Sequence, residues 1–236
     1  GLQQADVRMS CVARVIPGAV VAPLVLVLSV ALAGCGSMLP QVDAKLTHKQ
    51  IALDAADLVA GGIGFLTPSA ATGREADKQA LALSFATQLE KDRKDLRVVP
   101  LPAILSAMNA AELDQEYKQM FRDYRETGIL DGALLKRIGE IGQVRYLAQL
   151  SLASFEQASR SRFSIIGFRF IDTKQANIRV FLQIWDSYTG SVAWEGGGEV
   201  NYAFESVTER PVTFQQVAAT VADKIYAGLP RSEAVP

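Results

Sequence analysis

Histidine and cysteine are scarce in this chain, and that scarcity closes off much of enzyme chemistry. Among 236 residues there is one histidine, His48. A Ser–His or Cys–His system needs its base beside the nucleophile, and His48 lies in the polar segment read as a tether ahead of the domain, outside its core. The two cysteines, Cys11 and Cys35, are too few to build a zinc cluster. The formal net charge is −1 and no long run of one sign occurs, so there is no broad field for nucleic acid. Carboxylate pairs remain to be considered as acid and base. Asp54 and Asp57 are close in sequence, as are Glu112, Asp114 and Glu116. None stands in an apolar setting that would raise a pKa, and the second group reads as a solvated helix start, where acids suit the dipole. The expectation is a protein that is not an enzyme, with no cofactor and no metal.

What is present begins with the apolar stretch Ile16 to Pro40. Arg8 and Arg14 precede it, and no charge occurs between Arg14 and Asp43. A basic start, an apolar middle and small residues at a cut site form a secretory signal. A plain transmembrane helix over Val15–Ala33 is the bland alternative, since about 18 apolar residues suffice as a candidate. Pro17 and Pro23 weaken a stable span. Leu32-Ala33-Gly34-Cys35 resembles the lipobox of bacterial lipoproteins. That resemblance implies cleavage between Gly34 and Cys35, with lipid (a diacylglyceryl thioether and an acyl chain such as palmitate) on Cys35. Each buried methylene contributes about 0.8 kcal/mol, so several chains anchor a protein stably. Gly36 and Ser37 follow where an aspartate would favour inner-membrane retention. The expected location is the outer membrane, periplasmic face, and the expected partners are the membrane through Cys35 and an envelope protein or further copies of the chain.

Removing Asp6, Arg8 and Arg14 with the signal leaves 22 basic and 24 acidic residues, a net charge of −2. Cys11 goes with the signal and Cys35 is spent on lipid, so no disulfide is available even in an oxidising compartment. About 200 remaining residues suffice for one domain with its own core. The expected organisation is a signal over 1–34, a lipidated cysteine and tether over 35–57, one domain over 58–230 and a tail over 231–236.

Within the domain, Leu58–Leu66 reads as a short buried strand interrupted by Gly61, Gly62 and Gly64. These glycines do not match a phosphate-cradling spacing, and glycine in a strand more often marks a bulge or close approach. Helical periodicity follows over Gly73–Lys91, Ala103–Asn109, Glu112–Arg125 and Gly132–Ile141. A short strand with Val98 and Val99 precedes the second of these. The third helix carries a stripe of Leu113, Tyr117, Met120, Phe121 and Tyr124, a face for packing on a sheet rather than a ligand box. Asp131 is the expected N-cap of the fourth, and Gly142 its expected C′ residue. Alternation predicts long strands over Val144–Phe155, Ala176–Asp186 and Ser191–Phe204. Asp186 to Gly190 forms the turn between the last two. Gly196-Gly197-Gly198 is expected to bulge and bend that hairpin. Pro211–Ala227 is an amphipathic closing helix. The fold class is α/β: a mixed sheet with packed helices, a terminal antiparallel meander and a C-terminal helix, in a single domain.

The strand at Asp95–Pro100, the strand beginning at Val144 and the hairpin Val180–Gly196 resemble one family. It is the periplasmic lipoprotein superfamily of the curli-export channel lipoprotein, the penicillin-binding-protein activator lipoprotein and the Tol N-terminal domain. The most specific residues are Asp186, Thr189, Gly190, Val192 and Trp194. The resemblance implies an α/β sandwich that binds proteins at the envelope without catalysis, or alternatively an oligomeric export component. It supplies no site residues. Arginine and aromatics concentrate at interaction hot spots, so Arg160, Arg162, Phe163, Phe168, Arg169 and Phe170 are the candidate partner-binding residues.

Overall fold

The computed structural model describes residues 41–71, 74–165, 168–206 and 212–231. The expected signal over 1–34 and the expected lipidation site Cys35 lie outside the described residues, as do 232–236 of the expected tail. Seven strands form one mixed sheet: β1 (Gln41–Gln50), β2 (Ile63–Phe65), β3 (Ser69–Ala70), β4 (Val98–Val99), β5 (Tyr146–Ile165), β6 (Phe168–Asp186) and β7 (Ser191–Ser206). Their order is β1-β7-β6-β5-β2-β4, with β3 also beside β5. The β1-β7-β6-β5 ribbon is antiparallel. The short strands β2, β3 and β4 pair in parallel. Six described helices cover the sheet: α1 (Ala55–Gly61), α2 (Glu75–Asp92), α3 (Leu101–Ala110), α4 (Asp114–Thr127), α5 (Gly132–Gly142) and α6 (Phe214–Tyr226). The mixed α/β class and the closing helix are as expected.

Two sides of the sheet bury two cores. Tyr146, Ala148, Leu150 and Leu152 of β5 face one way with Ile178, Val180, Leu182 and Ile184 of β6. Against them lie Leu81, Phe85 and Leu89 of α2 and Val217, Val221 and Ile225 of α6. Helices α2 and α6 meet through Phe85 and Tyr226, whose rings stand edge to face at 5.6 Å. The Tyr226 hydroxyl donates to the Phe85 carbonyl at 2.9 Å. A full capping box starts α6, with Thr213 and Gln216 bonding each other's backbones. On the other side Leu147 and Trp185 meet Ile104, Met108, Tyr117, Met120, Leu135 and Ile138 of α3, α4 and α5.

Several expectations are corrected. Residues 41–50, expected in the tether, form edge strand β1, which pairs with β7 from Gln41↔Ala203 to Gln50↔Trp194. His48 therefore belongs to the sheet. The glycine-interrupted strand at 58–66 is instead helix α1 followed by a three-residue strand. Asp54 caps α1 by accepting from the Ala56 and Asp57 amides at 2.8 and 3.1 Å, and Gly62 ends it at φ 67°. Helix α5 is capped by Asp131 as expected, but its left-handed terminal residue is Gln143 (φ 54°), not Gly142. A Cβ on Gly142 would lie 2.7 Å from Ile104 Cδ1, so close packing explains that glycine. In α2 the buried line is Leu81, Phe85 and Leu89, while Leu83 is 62 % exposed.

The glycine triplet does not bulge. Gly196, Gly197 and Gly198 pair in register with Leu182, Phe181 and Val180 on one side and with β1 on the other. Their reason is space. A Cβ on Gly196 would sit 2.3 Å from the Trp194 ring, and one on Gly198 would sit 2.7 Å from Val221 of α6. The register shift in β7 falls instead beside Ala193, where β6 passes from Ile184 to Trp185. The freed Ala193 carbonyl accepts the amides of Ile51, Ala52 and Leu53 at 2.9–3.1 Å and so closes the link from β1 to α1.

Arg145, just before β5, ties the sheet's end together. Its guanidinium donates to Asp186 Oδ2 at 2.9 and 3.1 Å and pairs with Asp57 of α1 at 2.9 Å. It also lies 5.2 and 5.3 Å from the ring centroids of Tyr146 and Tyr188. Asp186 in turn accepts the Tyr188 amide at 2.9 Å, which shapes the β6–β7 turn. Gly190 closes that turn at φ 67°.

Gly198→Val is expected to lower stability by about 1–3 kcal/mol through overpacking against α6, read as a lower midpoint in urea with unchanged m. A pH prediction follows from Tyr117. Burial pushes its phenol up from 10.0 to about 12, against opposing hydrogen bonds from Thr67. The unfolded chain loses this proton first, so the stabilisation is whole below pH 10 and is lost as pH rises toward about 12. Tyr117→Phe should flatten the fall of stability over that window in urea titrations; an unchanged slope would refute the assignment.

Candidate functional site

The two helical layers are unequal in extent. On the α2/α6 side the core follows β5 as far as Phe155, which meets Phe214 at 4.8 Å. On the other side α3, α4 and α5 cover the sheet only around Leu147 and Trp185. Beyond that line the same face of the ribbon turns polar. It runs from Gln149 and Gln183 to Ser151, Phe181 and Thr47, and then to the Arg179–Glu199 ion pair at 2.9 Å and the Asn177–Asn201 bond at 2.7 Å. Phe181 is 48 % exposed there, over Gly197.

Where α4 ends its cover, a groove opens. One part, of about 460 Å³, lies over Gln149, Phe181 and Gln183 beside Thr47 of β1. The other, of about 830 Å³, lies between the 67–71 segment and α4. They share Tyr124 and Ser151. The helix stripe anticipated in the sequence splits between two tasks. Leu113, Tyr117 and Met120 are buried in the core, while Phe121 and Tyr124 are partly exposed along the groove. The three rings stand edge to face, Tyr117 to Phe121 at 4.8 Å and Phe121 to Tyr124 at 6.2 Å.

Polar groups on the groove floor are held in place. The Tyr117 hydroxyl accepts the Thr67 amide at 2.9 Å and donates to Thr67 Oγ1 at 3.0 Å. The Tyr124 hydroxyl donates to Gln183 Oε1 at 3.2 Å, and burial raises its pKa. Gln149 is 1 % exposed. Its Nε2 donates to the carbonyls of Thr67 and Leu150 at 3.2 and 3.1 Å. Those two acceptors fix the amide's orientation, and Oε1 is left with no hydrogen-bond partner. Lys78, Lys118, Arg122 and Arg125 line the wider part, and no carboxylate does. Lys78 pairs with Glu75 at 3.0 Å, and Arg122 donates to Gln119. Among the described residues Lys118, Arg122 and Arg125 have no carboxylate partner.

The candidates named from sequence fall elsewhere. Arg160, Arg162, Phe163, Phe168, Arg169 and Phe170 occupy the far end of the β5–β6 hairpin. There Arg160 pairs across to Thr173, Arg162 to Ile171 and Ile165 to Phe168. At ~3.3 Å per residue, Arg162 is about 35 Å along β5 from the groove at Ser151. The carboxylates do not converge: Asp54 caps α1, Asp57 holds Arg145, and Glu116 pairs with Arg137 at 3.0 Å. His48 packs its ring over Gly228 beyond α6. Among the described residues no group of three His, Cys, Asp or Glu side chains is placed to hold a metal ion. Sequence reasoning missed the groove. The signal available was the basic series Lys118, Arg122 and Arg125, spaced four and three residues apart on the helix that also carries Tyr124.

No family model matches the chain, and no curated protein matches it. Among solved structures the chain is similar to a PelC dodecamer from Paraburkholderia phytofirmans, at 13 % identity and a TM-score of 0.43, covering 81 % of this chain and 100 % of that one. It is also similar to the lipoprotein GNA1162 from Neisseria meningitidis, at 11 % identity and a TM-score of 0.36, covering 71 % of this chain and 99 % of that one.

Proposed function

We propose that the chain is a lipid-anchored envelope protein whose α/β domain binds another protein without catalysis. The anchor reading rests on Leu32 to Cys35, with lipid on Cys35, the outer membrane as its location and the periplasm as the compartment it faces. No helix among the described residues is long and apolar enough to cross a membrane. The binding reading rests on one observation above all: the groove between α4 and the uncovered sheet face. It is walled by aromatic and arginine side chains of the kind that concentrate binding energy. Its polar floor offers amides and hydroxyls, with Lys49 and Glu195 beside the narrower part.

A second reading has its own observation. Beyond Leu152 the described part of β5 pairs only with β6, and the outer edge of β1 has no described partner strand. Long unpaired edges are templates for pairing with another chain. This supports an oligomeric export component, with the Arg160–Phe170 end of the hairpin as a contact between copies or with the membrane.

Crosslinking in intact envelopes tests both readings. A photo-crosslinker placed at Lys118 of the full chain is expected to capture one partner protein, while one placed at Leu83 on the far side captures none. Cys35→Ala is expected to release the protein from the membrane fraction and lose that capture. Unchanged membrane association of Cys35→Ala would refute the anchor. Equal capture from both positions would refute the groove as the binding face. A ring-sized mass in detergent, with only self-crosslinks, would favour the oligomeric reading.

A further inference from the structure

Glu195 lines only the narrower part of the groove, where Lys49 stands as well. The wider part is lined by four cations and no carboxylate, and it calls for a negatively charged occupant. Three of them, Lys118, Arg122 and Arg125, lie on one helix and lack ion-pair partners among the described residues. Their spacing matters. At 1.5 Å per residue the helix carries Lys118 and Arg125 about 10 Å apart along its axis, so the positive charge is spread along a line rather than gathered at a point. A linear array suits an extended chain carrying several acidic groups better than a single small anion.

The floor narrows the chemistry further. Gln149 Oε1 is a buried acceptor without a donor, and its orientation is fixed by the two carbonyls its Nε2 serves. A carboxylate or phosphate group presents only acceptors and leaves that oxygen unmet. A peptide carries backbone amides as well as acidic side chains, so it can answer both the cations and the acceptor. Tyr117, Phe121 and Tyr124 stand at 69° and 71° to one another. They therefore form no flat platform for successive sugar rings. Phe121 and Tyr124, which are partly exposed, leave ring edges and faces for short apolar side chains.

We propose that this groove is the docking site for an extended acidic peptide segment of another protein, its carboxylates on Lys118, Arg122 and Arg125 and its backbone amides toward Gln149. The inference rests on the protein-binding reading and supplies the partner's chemistry. Exposed ion pairs are individually weak, so affinity comes from several at once and falls with salt. Lys78, already paired with Glu75, contributes least.

The test uses the full chain in non-ionic detergent and fluorescence anisotropy. Its probe is a short labelled peptide alternating glutamate and serine, with a glutamine-for-glutamate peptide and a lysine-for-glutamate peptide as controls. The glutamate peptide is expected to bind and the other two are not. The triple variant Lys118→Glu, Arg122→Glu, Arg125→Glu changes exposed positions only, and circular dichroism checks that it melts as the native chain does. It should weaken binding by about tenfold to a hundredfold. A single Arg125→Gln should weaken it by about two- to fivefold and serves if the triple variant fails to fold. No binding of the glutamate peptide, or equal binding by the variants, overturns the proposal. Tighter binding of polygalacturonate than of the peptide also overturns it and assigns the groove to an acidic glycan. If the peptide fails while the Lys118 crosslinker still captures a protein, the acidic chemistry is wrong and the protein-binding reading stands. If both fail, that reading falls as well.

Discussion

A strand sends successive side chains to opposite faces, so every residue pair in β5, β6 and β7 must satisfy two environments at once. That constraint governs this molecule. On one face the demand is uniform: Tyr146, Ala148, Leu150 and Leu152 are all buried beneath α2 and α6. On the other it changes along the same strand, from Leu147 under three helices to Gln149 and Ser151 at a groove. The ribbon is longer than the second helical layer can cover. The groove exists because of that mismatch in length, and its polar floor is the consequence for the residues left uncovered.

Close packing on the covered face explains residues that look permissive in sequence. Trp194 is wholly buried and needs the room that Gly196 leaves, while Gly198 lets α6 settle against β7. Interiors pack at crystal-like density, so a single added methyl is felt. Two residues further toward the β6–β7 turn, polar geometry takes over. Arg145 holds Asp57 of α1 and Asp186 of the turn together between two tyrosine rings. Asp186 strengthens its hold on the proton still further. The groove's own walls are tied together by other bonds, Tyr117 of α4 to Thr67, Tyr124 of α4 to Gln183 of β6 and Gln149 of β5 to Thr67.

Much of the fold was legible in the sequence because its signals are local and periodic. Alternation over 176–186 and 191–204, the Asp131 cap and the Asp186–Gly190 turn each announce themselves within a few residues. The failures share a different cause. In the strand at 41–50 Val42, Ala44 and Leu46 alternate with Asp43, Lys45 and Thr47, but all of these except Ala44 are exposed, so the pattern is short and weak and the ladder with β7 is what makes it a strand. The glycines at 61, 62 and 196–198 were compatible with bulges, and it is mainly their distant neighbours, Arg145, Arg97 and Val221 among them, that reveal close contact instead. The candidate site was less legible still. Arginine and aromatics at 160–170 stand out as a cluster in sequence, yet the structure puts them at the far end of a hairpin, well away from the groove.

The sequence by itself determined the α/β class, the hairpin, the helix-forming segments and the lipobox-like series ending at Cys35, because each depends on residues within one or two turns of chain. The tertiary structure alone decided which face of the ribbon stays open, that β1 joins the sheet, and that Gln149, Tyr124 and the cations of α4 share one groove. Those facts depend on pairings between residues tens of positions apart, such as Tyr117 with Thr67 and Gln149 with Thr67. Such pairings are set by how far each helix reaches across the sheet, a length that no local pattern encodes.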